Sequence, residues 1–489
     1  MRTVVGPTGR VVVVGAGLGG LSAALRLLGA GREVTILERG EAPGGRAGRL
    51  EIDGYRFDTG PTVLTMPGLV ADALGCVGER LDDWLELRRL DPAYRAHYPD
   101  GSTLDVRASV EETAAEIAQL CGPSEADGFR RFVAFTRRLY DVEMRTFIDR
   151  NLDSPLSLLV PDLARLVALG GFRRLAPKVA SYLHDPRTRR LFSFQALYAG
   201  VSPFEALALY AVISYMDTVE GVWFPAGGIH AVPEALAGAA AKHGADLHFG
   251  CAVTQVEVHG GRAVAVHTTD GRRFPADVVV LAGDRPAAVR DLLPAAAERP
   301  RRLRHSPSCF LLHVGSSAAY SRIAHHNVHF GRAWRSTFDE LIRRRRLPAD
   351  PSLLVTNPTR TDPSLAPAGR QAYYVLVPVP HLDGQVDWDV IGPRFREEVV
   401  GRLGALGYVG FSDAVEVSRA VTPADWQRQG LAAGSPFGAA HTFRQTGPFR
   451  PGNLLLDNVV LAGSGTQPGI GVPMVLVSGR LAAERIVGG

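Results

Sequence analysis

Short apolar runs and helical leucine spacing alternate along the first part of the chain. Residues 11–14 are consecutive valines that end at Gly15, a pattern typical of a buried parallel strand. Leucines then recur at helical spacing over residues 21–28, and residues 33–37 form the next apolar run. The pattern predicts a strand, a glycine turn, a helix and a second strand.

Similar patterns return in two later parts of the chain. The middle part predicts an alanine-rich helix, a hairpin with a glycine turn and a buried strand, at residues 231–242, 255–268 and 276–283. The last part predicts a strand at residues 458–462, a glycine-rich loop, and a helix that begins near Val472. We expect these later strands to return to the sheet that the first strand begins, which gives an α/β fold.

The first glycine turn has the composition of a dinucleotide cradle. Its first glycine permits the tight turn, its second lets the backbone approach a pyrophosphate, and its last allows close packing of helix on strand. The helix that follows presents unpaired N–H groups to the phosphates, and the acid at the end of the second strand can accept hydrogen bonds from a ribose. The predicted cradle residues are Gly15, Gly17, Leu18, Gly19, Gly20 and Glu38.

A second glycine pair follows closely behind the ribose-binding acid. A dehydrogenase that binds NAD does not need such a pair, whereas an extended FAD molecule needs further backbone contacts along its pyrophosphate and flavin sugar chain. The sequence therefore favours FAD over NAD. The residues predicted to make these contacts are Arg39, Gly44, Gly45, Arg46, Gly60, Pro61 and Thr62.

Several segments resemble known flavoprotein motifs. The segment ERGEAPGGRAG resembles the second FAD motif of the amine-oxidase-like flavoproteins. DTGPTVLTMP, WFPAGGIHAVPEALA and AGSGTQPGIGVPMV resemble the bacterial-type carotenoid (phytoene) desaturases of that superfamily. The resemblance implies that Val253 meets the adenine and that the last glycine-rich loop faces the flavin. The loop residues carried over are Gly463, Gly469, Val472 and Pro473.

The resemblance also implies a reaction. We expect an FAD-dependent phytoene desaturase that introduces several double bonds into a C40 carotenoid precursor, towards lycopene, with hydride transfer to flavin N5. Reduced flavin would pass its electrons to oxygen or to a membrane quinone. Another carotenoid desaturase (a hydroxycarotenoid 3,4-desaturase or a C30 desaturase) and a carotenoid isomerase are the alternatives within the enzyme class. A prenyl-chain binding module with a flavoprotein fold is the alternative from a different class.

The chain is long enough for several lobes, and the patterns predict that these are interleaved. The expected fold is a Rossmann-like FAD-binding domain with an interleaved mixed α+β substrate domain. The FAD-binding domain is predicted to comprise residues 1–84, 221–284 and 449–489. The substrate domain is predicted to comprise residues 85–220, the membrane-associating part, and 285–448.

The candidates for the proton acceptor are acidic residues outside the glycine turns. Asp162 and Arg165 form a D-x-x-R pair in a region where the resembled family also carries one, which implies a catalytic role for both residues. An exposed ion pair on a helix is the other interpretation. Asp217 and Glu220 lie close to the Trp223 segment and are rival candidates.

Composition narrows the possible partners. The formal charge of +4 and the scattered basic residues do not predict a nucleic-acid partner. Four separate cysteines, with no CxxC pair, fit a reducing cytoplasm and exclude a cysteine-based zinc site. The histidines of residues 325–329 lack accompanying acids or cysteines at a known ligand spacing, so no metal is predicted.

No apolar run is long enough to span a bilayer, but the expected substrate is insoluble. Residues 155–175 mix leucines with arginines, so they form either a membrane-docking element or an ordinary surface helix pair. Basic clusters at residues 301–304 and 343–346 contact either anionic lipid or solvent. We expect a cytoplasmic protein that attaches peripherally to the inner face of the cell membrane.

Overall fold

A computed structural model describes residues 1–293 and 303–488 of the chain. Its strands are β1 (Arg10–Val14), β2 (Glu33–Leu37), β3 (Arg49–Ile52), β4 (Tyr55–Asp58), β5 (Leu87–Arg89), β6 (Tyr94–His97), β7 (Thr103–Val106), β8 (Trp223–Pro225), β9 (Asp246–His248), β10 (Val253–His259), β11 (Arg262–Thr268), β12 (Arg273–Pro275), β13 (Val278–Leu281), β14 (Ser308–Ser316), β15 (His326–His329), β16 (Leu353–Thr356), β17 (Gln371–Val379), β18 (Val415–Val421), β19 (Leu454–Leu456) and β20 (Val459–Leu461). Its α-helices are α1 (Leu18–Gly29), α2 (Gly68–Gly75), α3 (Val110–Cys121), α4 (Pro123–Glu143), α5 (Pro161–Ala168), α6 (Leu175–Ala180), α7 (Pro186–Leu191), α8 (Val212–Tyr215), α9 (Ala231–Lys242), α10 (Arg285–Leu292), α11 (Trp334–Phe338), α12 (Trp388–Ala405), α13 (Pro423–Arg428) and α14 (Val472–Val487). The basic cluster that contains Arg301 and Arg302 lies partly outside the described residues.

One six-stranded sheet collects strands from the beginning, the middle and the end of the chain. Its order is β19-β20-β13-β1-β2-β9, and every neighbouring pair is parallel except β19 with β20. The valines of β1 lie between β13 and β2, where they are buried. The predicted strands, the β10–β11 hairpin and the start of α14 at Val472 are thereby confirmed. The domain boundaries themselves stay predictions.

Two glycines let α1 and α14 pack closely against each other. A Cβ atom at Gly479 on α14 would lie 2.5 Å from the carbonyl oxygen of Gly19 on α1. A Cβ at Gly19 would in turn lie 2.9 Å from the backbone nitrogen of Gly463. Side chains at these positions would force the helices apart. Their absence brings the loop before α14 next to the start of α1, although the two are far apart in sequence.

A seven-stranded sheet forms the second layer. Its order is β18-β14-β17-β16-β15-β6-β7, and it is antiparallel except where β15 pairs with β6. Every residue of β14 is buried, as expected for a strand that has a neighbour on each side and is covered on both faces. This sheet unites residues 94–106 with the part of the chain after residue 303.

Helices α3 to α8 form the third part of the fold. The longest of them, α4, buries an apolar stripe that includes Phe129, Phe132 and Leu139. Glu143 is the last residue of α4 and lies on the same stripe, directly before a π-helical turn at Met144–Ile148. A second π-helical turn, Met216–Glu220, follows α8, which packs against α4.

No helix in the described part of the chain is both long and apolar enough to cross a membrane.

Candidate active site

A cavity of about 1270 Å³ begins where the parallel strands end and continues between the second sheet and the helices. Val14, Leu37 and Leu281, the last residues of β1, β2 and β13, contribute to its wall. Ligands of open α/β sheets bind at this edge, outside the carboxyl ends of the strands. The volume exceeds the roughly 300–1,000 Å³ that encloses one drug-sized ligand, so the cavity has room for more than one molecule.

The first glycine turn forms the floor of this cavity. Gly15 has a φ of +106°, a conformation that L side chains rarely adopt. A Cβ at Gly20 would overlap the carbonyl oxygen of Gly15, which explains why the helix can lie so close to the strand. Gly17 is different, because a Cβ there would meet nothing closer than the Gly44 oxygen at 3.9 Å. The space above Gly17 is therefore open to a ligand.

The acid at the end of β2 is buried and fixed by backbone donors. One carboxylate oxygen of Glu38 accepts a hydrogen bond from the Ala16 N–H at 2.7 Å, and the other accepts one from the Gly40 N–H at 2.8 Å. Each oxygen keeps a free lone pair, because a carboxylate offers about four acceptor sites. Glu38 lines the cavity, so it can still accept from a ribose hydroxyl.

The second glycine pair is joined directly to the first turn. The Gly44 N–H donates to the Ala16 carbonyl oxygen at 2.9 Å. Arg46 then donates to the hydroxyl of Ser464, and its guanidinium lies 3.2 Å from the carboxylate of Asp284. Arg46 thus ties the second turn to the loop before α14.

A buried arginine supports the loop before α14. Arg450 is 1% exposed and donates to the carbonyl oxygens of Ser464 at 2.7 Å and of Thr466 at 2.9 Å. Burial lowers its pKa to about 10, so the guanidinium remains charged at neutral pH although no carboxylate faces it among the described residues.

The loop leads into α14, whose N-cap residue Gly471 provides no side-chain cap. The first N–H groups of that helix are therefore available to an anion.

Sixteen of the predicted cofactor residues line this cavity. They are Gly15, Gly17, Leu18, Gly19, Glu38, Arg39, Gly44, Gly45, Arg46, Gly60, Pro61, Thr62, Val253, Gly463, Val472 and Pro473. Gly20 and Gly469 are outside the lining. Gly20 lies behind the turn, and a Cβ at Gly469 would overlap the imidazole of His441. Whether each of these residues contacts FAD remains a prediction.

Beyond the glycine turns the cavity becomes apolar; we call this part the apolar arm. Its wall comes from the helices, the second sheet and the loop after α13. The apolar and aromatic residues that line it include Phe147, Ile148, Leu152, Leu163, Leu166, Leu207, Leu209, Val212, Ile213, Met216, Leu354, Tyr374, Leu376 and Phe437. Among the aromatic side chains of residues 192–215, Tyr198 and Tyr210 line the arm, whereas Phe192 and Tyr215 are buried core.

Two carboxyl groups interrupt the apolar arm. Glu143 is 4% exposed, and its Oε1 has no hydrogen-bond partner among the described residues. Burial alone raises its pKa well above the usual range, because burial penalises the charged form. Asp217 is also 4% exposed, and burial raises its pKa to about 7, while a hydrogen bond from the Tyr94 hydroxyl at 3.3 Å opposes the shift.

Asp162 and Arg165 lie outside the cavity lining. Their side chains form an ion pair of 2.8 Å one turn apart on α5, and the Arg165 side chain is 71% exposed. The hydroxyl of Thr146 also donates to Asp162 at 2.6 Å. This hydrogen bond and Arg165 together lower the pKa of Asp162. Glu220 is likewise absent from the cavity wall.

The histidines of residues 325–329 make separate contacts. His326 lies 3.0 Å from the Thr62 carbonyl oxygen, His325 lies 2.7 Å from the Thr361 hydroxyl, and His329 lies 2.9 Å from the Tyr408 hydroxyl. Across residues 1–293 and 303–488, no group of three histidines, cysteines or acids is arranged to hold a metal ion.

Three residues of this site were not singled out by sequence reasoning: Glu143, His441 and Arg450. For Glu143 a signal existed, because its spacing from Phe129, Phe132 and Leu139 places it on the apolar face of α4. For Arg450 and His441 no local pattern exists, since their partners are backbone carbonyls and glycines elsewhere in the chain.

A protein-family comparison agrees with this geometry. The family described as "Flavin containing amine oxidoreductase" matches residues 18–487. Among solved structures, an oxidoreductase from Methanosarcina mazei has a TM-score of 0.64 at 19% identity, covering 96% of this chain and 99% of its own. At that identity the likeness concerns the fold alone.

Full-length relatives are more similar in sequence. A phytoene dehydrogenase of Streptomyces griseus is 56% identical, over 100% of this chain and 97% of its own. A zeta-carotene-forming phytoene desaturase of Myxococcus xanthus is 39% identical, over 98% and 94%. A lycopene-forming phytoene desaturase of Pantoea ananas is 35% identical, over 96% and 97%.

Proposed function

The chain belongs to the flavin-containing amine oxidoreductase family, and on that premise we propose that it is an FAD-dependent phytoene desaturase of carotenoid biosynthesis. It is an oxidoreductase with FAD as its cofactor. The proposal extends this to a colourless C40 polyene as substrate and to several desaturation steps. The observation that carries it is the direct continuity of a glycine-lined cofactor cradle with a long apolar arm in one cavity.

The cradle has the features that FAD requires. The open space above Gly17 admits a pyrophosphate, and the N-terminus of α1 offers it unpaired N–H groups. Glu38 is placed for the adenosine ribose, and Val253 lies in the cavity wall where we assign the adenine. Arg46, Thr62 and the start of α14 would surround the flavin end. The dipole of α14 would stabilise negative charge on the reduced ring.

The apolar arm fits a polyene. Its wall consists almost entirely of aliphatic and aromatic side chains, which exclude water and bury an extended hydrocarbon. The chemistry that bound FAD supplies is acceptance of a hydride at flavin N5. The protein must hold the reacting carbon about 3–3.5 Å from that atom and must receive one proton. Obligatory polar side chains are accordingly few.

The substrate would enter at an exposed apolar rim. Phe172 and Phe443 line the cavity, yet they are 38% and 55% exposed, so they mark a point where it meets solvent. Leu156, Leu159 and Val167 lie outside the cavity wall, on the segment 155–175 that also contains Phe172, and are 73%, 75% and 58% exposed. We call these five residues the mouth rim. Exposed arginines of that segment lie among them, as expected for a surface that contacts anionic lipid.

Peripheral attachment through the mouth rim would bring the cavity to a substrate dissolved in the bilayer. It would place the protein at the cytoplasmic face of the membrane, where oxygen or a quinone could reoxidise the flavin. These assignments follow from the chemistry of the substrate and from the position of the rim.

Expression in a bacterial host that accumulates phytoene tests the function. We expect coloured products with longer conjugation, identified by chromatography against zeta-carotene and lycopene standards. A host carrying Gly17→Val, the matched variant with a blocked cradle, should retain phytoene. Unchanged phytoene in the presence of soluble, FAD-loaded wild-type protein would contradict the proposal. Conversion only of hydroxylated or C30 carotenoids in sister hosts would redirect it to the alternative desaturases.

A further inference from the structure

The apolar arm contains two carboxyl groups, and we propose that one of them, Asp217, accepts the proton that desaturation releases. The inference deepens the proposed function and rests on it, because a desaturation must dispose of one proton per double bond. Asp217 and Glu143 are the carboxyl groups of the described residues that face the arm. The other acids in the cavity wall lie at its cofactor end or at its exposed margins.

Asp217 lines the cavity and is connected to a predicted flavin-side residue through two ring side chains. It belongs to the π-helical turn Met216–Glu220, an irregularity that is frequent at functional sites. The Tyr94 hydroxyl donates to its carboxylate at 3.3 Å, and the Tyr94 ring lies 5.5 Å from the ring of His326. His326 in turn lies 3.0 Å from the carbonyl oxygen of Thr62, a predicted flavin-side residue. A short series of contacts therefore fixes Asp217 relative to the flavin end.

The surroundings of Asp217 make it a usable base near neutral pH. The titratable groups that act on it among the described residues are Tyr94 on β6 and Tyr198, which follows a short 3-10 turn after α7. Burial raises the pKa of both tyrosines, so both are uncharged at neutral pH. In the part of the chain that the structure describes no cation acts on the carboxylate, and its own pKa of about 7 results from burial. A general base is most effective when its pKa lies near the working pH.

Glu143 and Asp162 are less suitable for opposite reasons. Among the described residues Glu143 has no hydrogen bond to its Oε1 that would stabilise the charged form, and burial raises its pKa well above the usual range, which disfavours the carboxylate that a base needs. Asp162 is ionised but sits outside the cavity in an exposed ion pair with Arg165. Its carboxylate is held by the Thr146 hydroxyl and by Arg165, and it does not line the arm. Asp217 is both inside the arm and partly ionised.

Each new double bond removes one hydride and one proton from the substrate. A C–H bond of the allylic carbon breaks, and its hydrogen leaves with the electron pair as the hydride of the desaturation. The C–H bond of the adjacent carbon breaks, and its proton goes to a carboxylate oxygen of Asp217. The electron pair left on that carbon forms the second bond of the new C=C. The substrate loses two electrons to the flavin, and Asp217 ends as a carboxylic acid that must release its proton before the next step.

Four variants of the holoprotein test this assignment. Asp217→Asn removes the base at nearly constant volume, and Asp217→Glu retains it. Asp162→Asn tests the rival acid. Asp127→Asn is the matched control, because the Asp127 side chain is 63% exposed. Phytoene in phosphatidylcholine vesicles is added without oxygen, and flavin bleaching is followed as a function of pH. Independently of turnover, pH-difference infrared spectra without substrate follow the C=O stretch of protonated carboxyl groups.

We expect Asp217→Asn to keep its FAD and to bleach about 10²–10⁴-fold more slowly than the wild type. The wild-type rate should rise with pH through about 7, because the base must be ionised, and the Asn variant should lack this rise. Its infrared titration near that pH should disappear as well. Asp217→Glu should recover the pH-dependent rise, and Asp127→Asn should behave as the wild type.

An Asp217→Asn rate within about threefold of the wild type would overturn the assignment, as would a large loss in Asp162→Asn alone. If the Asn variant fails to bind FAD, the Glu variant decides: an FAD-loaded Glu variant without a pH-dependent rise contradicts the proposal. A wild-type protein that never bleaches with phytoene would instead refute the proposed function. In that case the infrared titration still reports whether Asp217 is the group that ionises near neutral pH.

Discussion

Replacing Gly17 with alanine should separate cofactor binding from folding. The backbone of Gly17 has φ −73° and ψ 167°, an extended conformation that alanine adopts freely. A Cβ there would meet no protein atom closer than 3.9 Å. The stability of the protein without FAD should therefore change by about 1 kcal/mol or less. The added methyl group instead enters the space that we assign to the pyrophosphate.

The loss of affinity can be estimated from the contacts at risk. A hydrogen bond from a backbone N–H to a charged group contributes about 1.5–3 kcal/mol. Since about 1.4 kcal/mol corresponds to a tenfold change in Kd, losing one such bond should weaken FAD binding about ten- to a hundredfold. Gly17→Val, with its larger side chain, should weaken it further.

The assay is a titration of deflavinated protein with FAD, followed by flavin fluorescence, with thermal unfolding of the same samples. Gly75→Ala is the matched control, because that glycine ends α2 and a Cβ there would meet nothing within 4 Å. Gly20→Ala is the contrasting variant, since its Cβ would overlap the Gly15 carbonyl oxygen and should prevent normal folding. If Gly17→Ala binds FAD as tightly as the wild type, the pyrophosphate does not lie against Gly17. If Gly17→Ala has a much lower Tm without FAD, the space next to Gly17 is not free of protein atoms.

Three further predictions concern the surroundings of the cavity. Arg450→Met should destabilise the protein by about 2–4 kcal/mol and weaken FAD binding, because the carbonyls of Ser464 and Thr466 lose a buried donor. Urea unfolding measures the loss, and the control Arg444→Met, at an exposed position, should change the free energy of unfolding little. Glu143→Gln should remove part of the pH dependence of stability. The pKa of Glu143 is higher in the folded than in the unfolded protein, so its contribution to the free energy of unfolding is fully present below about pH 4.5 and is lost as the pH rises. The Tm measured from acidic to neutral pH should therefore fall more in the wild type than in the variant. Equal slopes would contradict that account. Leu156→Asp with Leu159→Asp should reduce co-sedimentation with anionic vesicles, whereas exposed Val409→Asp, outside the mouth rim, should not.

The cofactor half of the fold could be predicted from the sequence because its signals are local. The apolar run of β2, the alanine-rich α9 and the start of α14 at Val472 follow from periodicity, glycine turns and a proline in the first helical turn. The glycine turn and Glu38 likewise share one cavity wall because a strand–turn–helix–strand unit places them at the same edge of a sheet.

The rest could not be predicted because it depends on contacts between distant segments. The pairing of β6 with β15 joins residues whose separation no local pattern encodes. The same holds for Arg450, whose partners are carbonyls rather than side chains of opposite charge. Asp217 and Asp162 look equivalent as acids in the sequence. Only the fold gives one a buried place in the arm and the other an exposed ion pair.

The measurement that tests the central claim most directly is a single turnover of the purified holoprotein with phytoene in vesicles without oxygen. The account predicts that flavin absorbance bleaches in proportion to the appearance of a carotenoid with a longer conjugated system, one flavin reduced per double bond. Flavin that stays oxidised while phytoene remains bound and unchanged would contradict it.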